Sequence, residues 1–276
     1  MLSLTIVSLL WAVSFGLIKH QLAGIDVGFV SLIRLSFSTA LFLPFLRMRG
    51  IRVADLLRFM TLGAVQYGFM YLAYIESFRY LAAYQVALLT IFTPLCVTLT
   101  NDILQRRWHG RHWLSAGLAV AGAAVIIYRE TGTPTLIGVF LVQISNLCFA
   151  VGQVFYVRLM THHPDQSDRS VFSLLYAGGT LISALFWLGH GMPLPEINTA
   201  QWITLTYLGI IASGVAFFLW NVGARRVSSG ILAVMNNLKI PLGVLAALLF
   251  FGESTRLDRL LIGGFIFVLA LFMNRD

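Results

Sequence analysis

The chain runs as ten apolar stretches with short turns between them, at 2–18, 28–46, 57–77, 83–101, 113–128, 134–158, 170–189, 200–221, 230–251 and 258–273. Each is close to the ~20 residues a helix needs to cross a ~30 Å hydrocarbon core. Inside lipid every backbone N–H and C=O must be satisfied within its own segment, so such runs are expected as α-helices. The expected fold is an all-α membrane protein of ten transmembrane helices. Only 11% of the 276 residues are charged and 58% are hydrophobic, whereas a soluble domain carries about a quarter charged. The turns are too short to hold a soluble domain. No basic residue precedes the first run and no small-residue cleavage site follows it. It is therefore expected to be a retained helix, not a signal peptide.

The net charge of +8 would suggest a nucleic-acid partner in a soluble protein, but no basic stripe is present. The basic residues sit in turns, where they report topology. Twelve of the nineteen fall in the turns on the side of the N-terminus: Arg47, Arg49, Arg52, Arg58, Arg106, Arg107, Arg111, Arg158, Arg169, Arg225, Arg226 and Arg275. Five fall on the other side: Lys19, Arg79, Arg129, Arg256 and Arg259. The asymmetry places both termini in the cytoplasm. Cys96 and Cys148 lie within apolar runs without CxxC or histidine companions, so neither a disulfide framework nor a metal site is expected. There is also no Walker A loop, HExxH, GxSxG or paired-carboxylate motif. The reading is of a non-enzymatic membrane protein with no cofactor. Its expected partners are the lipid bilayer and a small solute, and the sequence carries no sign of its oligomeric state.

The two halves look related. Pro94-Leu95 recurs as Pro241-Leu242, an offset that also joins Leu114-Ser115-Ala116-Gly117 to Leu261-Ile262-Gly263-Gly264. At a slightly shorter offset Leu10-Trp11-Ala12-Val13 matches Cys148-Phe149-Ala150-Val151. Five helices is an odd number, so residues 1–130 and 131–276 are expected as two five-helix repeats of inverted orientation. That architecture recurs in secondary transporters, with the solute site near the midplane.

Two basic residues lie inside helices. Lys239 sits midway along the ninth run, beside Asn236, Asn237 and Pro241. A charge at that depth costs about 2.5–3.5 kcal/mol on insertion scales. Proline at 241 removes the N–H that would meet the Asn237 carbonyl. The repeat places Phe92 opposite Lys239, so the proline is shared and the charge is not. A cation kept on one side only fits a solute role, and an anionic or zwitterionic solute is expected. The alternatives are an ion pair with Glu76 or Asp102, or snorkelling to the interface. Arg34, about two turns into the second run, reads equally as an anion ligand or as a donor to backbone carbonyls. Glu76 and Asp102 lie near run ends, where interfacial solvation or a coupling proton would suit them.

The third run places Tyr67, Tyr71, Tyr74 and Phe78 on one helical face, with Gln66 beside it. This is either plain packing or a pocket wall with hydrogen-bonding tips. Gln143, Asn146 and Gln153 share a side of the sixth run and read as interhelical glue or solute contacts. Trp11 lies mid-helix, where its indole N–H needs a partner. Trp220, next to Asn221, is a solute contact or an interfacial anchor. Gly209 with Ser213 and Gly117 with Ala121 have the small-xxx-small spacing of close helix contacts. The candidate binding set is Lys239, Asn236, Asn237, Asn146, Tyr67, Tyr71, Trp11, Trp220, Gln66 and Arg34.

Trp11-Ala12-Val13-Ser14-Phe15, Arg34, Thr93-Pro94-Leu95 and the closing Gly252-Glu253, in that order over two repeats, resemble the ten-helix EamA-type branch of the drug/metabolite transporter superfamily. Leu43-Pro44-Phe45-Leu46-Arg47, Gln143-Ile144-Ser145-Asn146, Trp220-Asn221 and Met235-Asn236-Asn237 narrow the likeness to its carboxylate, amino acid and amine transporters. The resemblance implies alternating access around a central cavity, with a carboxylate-bearing metabolite as the solute. Gln105-Arg106 stands where a first-half Gly-Glu pair would fall, which argues against a paired glutamate that couples transport. Direction stays open: an exporter of amino acids or other metabolites shares this reading. A membrane assembly protein that transports nothing is the third.

Overall fold

The computed structural model describes residues 2–47, 51–106, 133–227 and 229–253, with isolated helical positions within 110–121 and 258–269. The fifth and tenth expected helices, and the Gly117–Ala121 pair with them, therefore lie outside the described residues. The described chain is helical without strands. It forms α1 (Leu2–Gln21), α2 (Val27–Phe42), α3 (53–77), α4 (Ala83–Gln105), α5 (Thr133–His162), α6 (Asp168–Gly189), α7 (Thr199–Ala224) and α8 (Ser229–Phe250). Six stretches are long and apolar enough to span a bilayer, namely Ser3–Gln21, Val27–Phe45, Ala83–Gln105, Thr135–His162, Asp168–Gly189 and Thr199–Ala224. A shorter apolar stretch runs over Met235–Phe250.

Helix ends follow local chemistry. Asp26 caps α2 by accepting the Phe29 N–H at 2.8 Å, and Asn198 with Gln201 forms a capping box on α7. Pro44 turns the end of the second run into a 3-10 segment, Leu43–Phe45, so α2 stops short of the expected 46. Arg106 closes α4 in the left-handed region at φ 53°.

Polar side chains tie helix ends together at two places. At the Glu253 end, the turn after α8 reaches back to two other helices. Glu253 Oε1 and Oε2 accept the first N–H groups of α4, from Ala83 at 2.8 Å and Tyr84 at 3.0 Å. His20 of α1 lies 3.3 Å from the same carboxylate and stacks on Phe251. The carboxylate thus satisfies donors that a helix start leaves orphaned, where the helix dipole favours an anion. Gly252 carries φ +64°, which lets the chain make this turn. The Gly-Glu pair is a tie between helices, and the absence of its counterpart at Gln105-Arg106 fits the left-handed stop of α4. At the Asp168 end, Asp168 accepts Arg225 Nη1 at 2.6 Å and the Tyr156 hydroxyl, clasping α5, α6 and α7.

Close packing of α3 on α6 needs two glycines. A Cβ on Gly178 would stand 1.9 Å from the Met60 carbonyl oxygen, and one on Gly63 would stand 1.8 Å from that of Leu175. Gly209, expected at a helix contact, packs its backbone on Phe37 of α2. Both α3 and α7 widen into π segments mid-membrane, Ala64–Phe69 and Tyr207–Val215. Gly178→Ala should force the two backbones apart. We expect a lower unfolding midpoint in detergent, by overpacking worth about 1–3 kcal/mol, and an unshifted midpoint would show that the helices separate freely.

Candidate functional site

A half-open cavity of about 550 Å³, counting its open mouth, lies at mid-bundle, lined from α1, α2, α3, α4, α5, α7 and α8. Its charged lining residues are Lys239 and Arg34, and no carboxylate lines it among the described residues. Apolar walls come chiefly from Trp11, Phe15, Met70, Phe149 and Phe217.

Lys239 is 7% exposed. Its Nζ donates to Asn236 Oδ1 at 2.9 Å, one turn back on α8. It stands 5.0 Å from the Trp11 ring centroid and 5.9 Å from that of Phe149. The aromatic faces offer the ammonium a partial substitute for water, about 0.5–2 kcal/mol each. Neither ion pairing with Glu76 nor snorkelling describes it, because Glu76 is engaged by Arg79 at 3.2 Å and Lys239 is at the helix midpoint. Trp11 is fixed by its indole N–H, which donates to the Ala212 carbonyl at 2.9 Å.

That carbonyl belongs to the π segment of α7. A wide turn leaves carbonyls without their usual i+4 partners, and side chains from other helices collect them. Ser38 donates to Gly209 O at 2.8 Å, and Tyr176 donates to Ser213 O at 2.7 Å and Gly214 O at 2.8 Å. The Ser213 hydroxyl is a second hub. It lies 2.6 Å from the Tyr71 hydroxyl and accepts Arg34 Nη2 at 3.2 Å. Arg34 also lies over the Tyr71 ring, 4.1 Å from its centroid.

Asn146 faces the cavity with its amide already engaged. Its Nδ2 donates to the Leu89 carbonyl at 2.9 Å, and its Oδ1 accepts the Thr93 hydroxyl at 3.0 Å. The Leu89 carbonyl loses its α-helical donor because a 3-10 turn, Thr90–Phe92, precedes Pro94 and sends the Thr93 N–H to Thr90 instead. In α8 the matching Pro241 sits within a continuous helix.

Five candidates from the sequence line the cavity: Trp11, Arg34, Tyr71, Asn146 and Lys239. Gln66, Tyr67 and Trp220 instead form a packed layer toward the Asp168 end. There Asn221 bridges Gln66 at 3.2 Å and Tyr67 at 2.8 Å, while the Trp220 indole N–H donates to Gln153 Oε1 at 2.8 Å. Asn236 positions Lys239 without itself lining the cavity. The side chain of Asn237 also lies off the cavity, and its amide atoms are buried without a partner among the described residues.

Phe149 and Phe217 were not among the sequence candidates. Phe149 had a usable signal, because the repeat alignment sets it opposite Trp11, and the two rings flank Lys239. Phe217 carries no such mark, and only its packing 4.7 Å from Trp11 reveals it. Asn221→Ala should leave Gln66 and Tyr67 with buried unmatched groups. We expect a lower thermal midpoint in detergent, from about 1–3 kcal/mol per stranded group. An unchanged midpoint would mean the layer does not depend on that amide.

Comparison with known proteins gives the family. The model of the EamA-like transporter family matches residues 1–128 and 136–275. A biotin transporter of Salmonella typhimurium is 38% identical over 99% of this chain and 92% of its own. One from Escherichia coli K12 is 37% identical over the same shares. A probable biotin transporter of Pseudomonas aeruginosa is 39% identical over 99% of this chain and 96% of its own. One solved crystal structure, 16% identical, superposes with a TM-score of 0.71 over 98% of this chain and 95% of that one, a likeness of fold alone. The chain belongs to the EamA-like transporter family, as a multi-pass membrane transporter and not an enzyme.

Proposed function

We propose that this protein imports biotin across the bacterial inner membrane, holding the solute carboxylate at Lys239. The observation that carries the reading is a buried ammonium in a mid-membrane cavity whose described walls hold no carboxylate. An anion entering such a site gains a Coulomb interaction that water would screen. At 4 Å this is about 4 kcal/mol for an effective dielectric constant near 20. Trp11, Phe149 and Phe217 give the valeryl chain and ring system an apolar seat. The segments Trp220-Asn221 and Met235-Asn236-Asn237 resemble those of the enterobacterial biotin importer, and relatives named biotin transporters align over nearly the whole chain.

The proposed architecture is ten helices in two inverted repeats, 1–130 and 131–276, with both termini cytoplasmic. The family model matches each half separately. A π segment interrupts α3 and α7, the third helix of each proposed repeat. Trp11 and Phe149, paired by the repeat alignment, bracket Lys239. On this orientation the Asp168 clasp and the Gln66–Asn221–Tyr67 layer close the cytoplasmic side, and the Glu253 tie braces the periplasmic side. Alternating access would loosen one set while the other holds.

The test is uptake of tritiated biotin at nanomolar concentration by cells lacking their own importer. We expect the protein to restore accumulation, and Lys239→Ala at equal membrane abundance to lower it at least ~10-fold, since charge-assisted bonds contribute about 1.5–3 kcal/mol. Absent uptake from well-inserted protein would remove biotin as the solute.

A further inference from the structure

Arg34 holds a second positive group in the same cavity, and its surroundings differ from those of Lys239. It is 2% exposed. One nitrogen, Nη2, donates to Ser213, while Nε and Nη1 are buried without a hydrogen-bond partner among the described residues. No backbone carbonyl among the described residues takes them, so the carbonyl-donor role open from sequence is not the one seen there. Burying an arginine with two unmatched donors is costly. The cavity it lines supplies the place where a solute acceptor would match them.

The two cations make different demands. The Arg34 charge is delocalised, weakly hydrated and stacked on Tyr71 at 4.1 Å, so its charge is partly met while its in-plane donors are not. Lys239 is a compact ammonium with one amide acceptor and two aromatic faces at longer range, so it retains the stronger demand for an anion. Both line the same cavity, whose apolar walls include Trp11, Phe15, Met70, Phe149 and Phe217.

From this we infer that the cavity is bipolar: Arg34 donates to a neutral carbonyl oxygen at the end of the solute opposite the carboxylate held by Lys239. The solute class is then a monocarboxylate joined through an apolar spacer to a urea or amide carbonyl. This rests on the biotin reading and extends it, since the ureido oxygen of biotin would be the Arg34 ligand. It makes Arg34 a specificity-determining residue, the group that separates such a solute from a plain fatty acid of similar length.

The experiment measures competition against tritiated biotin uptake by three unlabelled compounds: biotin, biotin methyl ester and nonanoate. The ester keeps the urea and loses the anion, and nonanoate keeps the anion and loses the urea. Wild type should prefer biotin to both. Arg34→Gln should shrink the biotin-to-nonanoate preference by about 10- to 100-fold, the worth of one or two charge-assisted hydrogen bonds, and leave the biotin-to-ester preference in place. Lys239→Gln should do the converse. Arg34→Lys, which keeps the charge and loses the planar fork, should also shrink the nonanoate preference. Competition for binding to purified protein gives the same ratios for any variant that binds without transporting.

Biotin uptake by wild type with an unchanged nonanoate preference in Arg34→Gln, or in Arg34→Lys if the glutamine variant fails to insert, overturns the bipolar site alone. Loss of the ester preference in the Arg34 variant would overturn it too, by placing the carboxylate at the guanidinium. Absence of wild-type biotin uptake would overturn the underlying reading and this inference with it.

Discussion

A lysine held at the middle of an apolar helix, with no carboxylate lining its cavity among the described residues, is the constraint around which the rest of the structure is arranged. The cost of that charge would fall if Lys239 could reach an interface or an acid; it is buried at the helix midpoint, and Glu76 is engaged by Arg79. It is instead held by Asn236 on its own helix and by two aromatic faces from opposite halves of the chain. These contacts are weak enough for a solute anion to compete with them. A stronger internal partner would make the site more stable and less useful, because a carrier must let its solute in and out.

The polar groups around this charge are organised by irregular backbone. The π segment of α7 releases carbonyls that Trp11, Ser38 and Tyr176 take up. The 3-10 turn of α4 takes the Leu89 carbonyl out of the α-helical pattern, and Asn146 donates to it. Helix irregularity inside a membrane is tolerated where other side chains satisfy the freed groups. Here it ties α1, α2, α6 and α7 into one frame and fixes the cavity walls. The polar layer of Gln66, Tyr67 and Asn221 and the clasps at Asp168 and Glu253 lie outside this frame, where opening and closing would act.

Much of this was legible from the sequence, and the reasons for the rest are specific. Periodicity and length gave the described helices to within a few residues. The charge at Lys239 could be recognised because insertion energetics make it rare. Membership in a stripe was less informative: Tyr67, Tyr71 and Tyr74 share a helical face, yet Tyr71 and Tyr74 meet the cavity while Tyr67 packs in the layer below, since a face of a helix crosses several depths. Amides misled for a related reason. Asn146 lines the cavity but spends its hydrogen bonds on the Leu89 carbonyl and the Thr93 hydroxyl, and Asn221 spends its own on Gln66 and Tyr67. Neither π segment has a local sequence mark, so the hub at Ser213 could not be read from residues alone. Glu253 was readable as part of a family motif, and its role as a cap on α4 needed the fold.

The most direct test of the central claim asks whether position 239 needs a positive charge and nothing else. Lys239→Cys in a background with Cys96→Ala and Cys148→Ala would be reconstituted into liposomes and treated with aminoethyl, hydroxyethyl or sulfonatoethyl methanethiosulfonate. Biotin uptake would then be measured. The account predicts that the aminoethyl adduct restores uptake, while the neutral and negative adducts do not. Equal restoration by the neutral hydroxyethyl adduct would show that the residue fills space without holding the carboxylate, and would contradict the account.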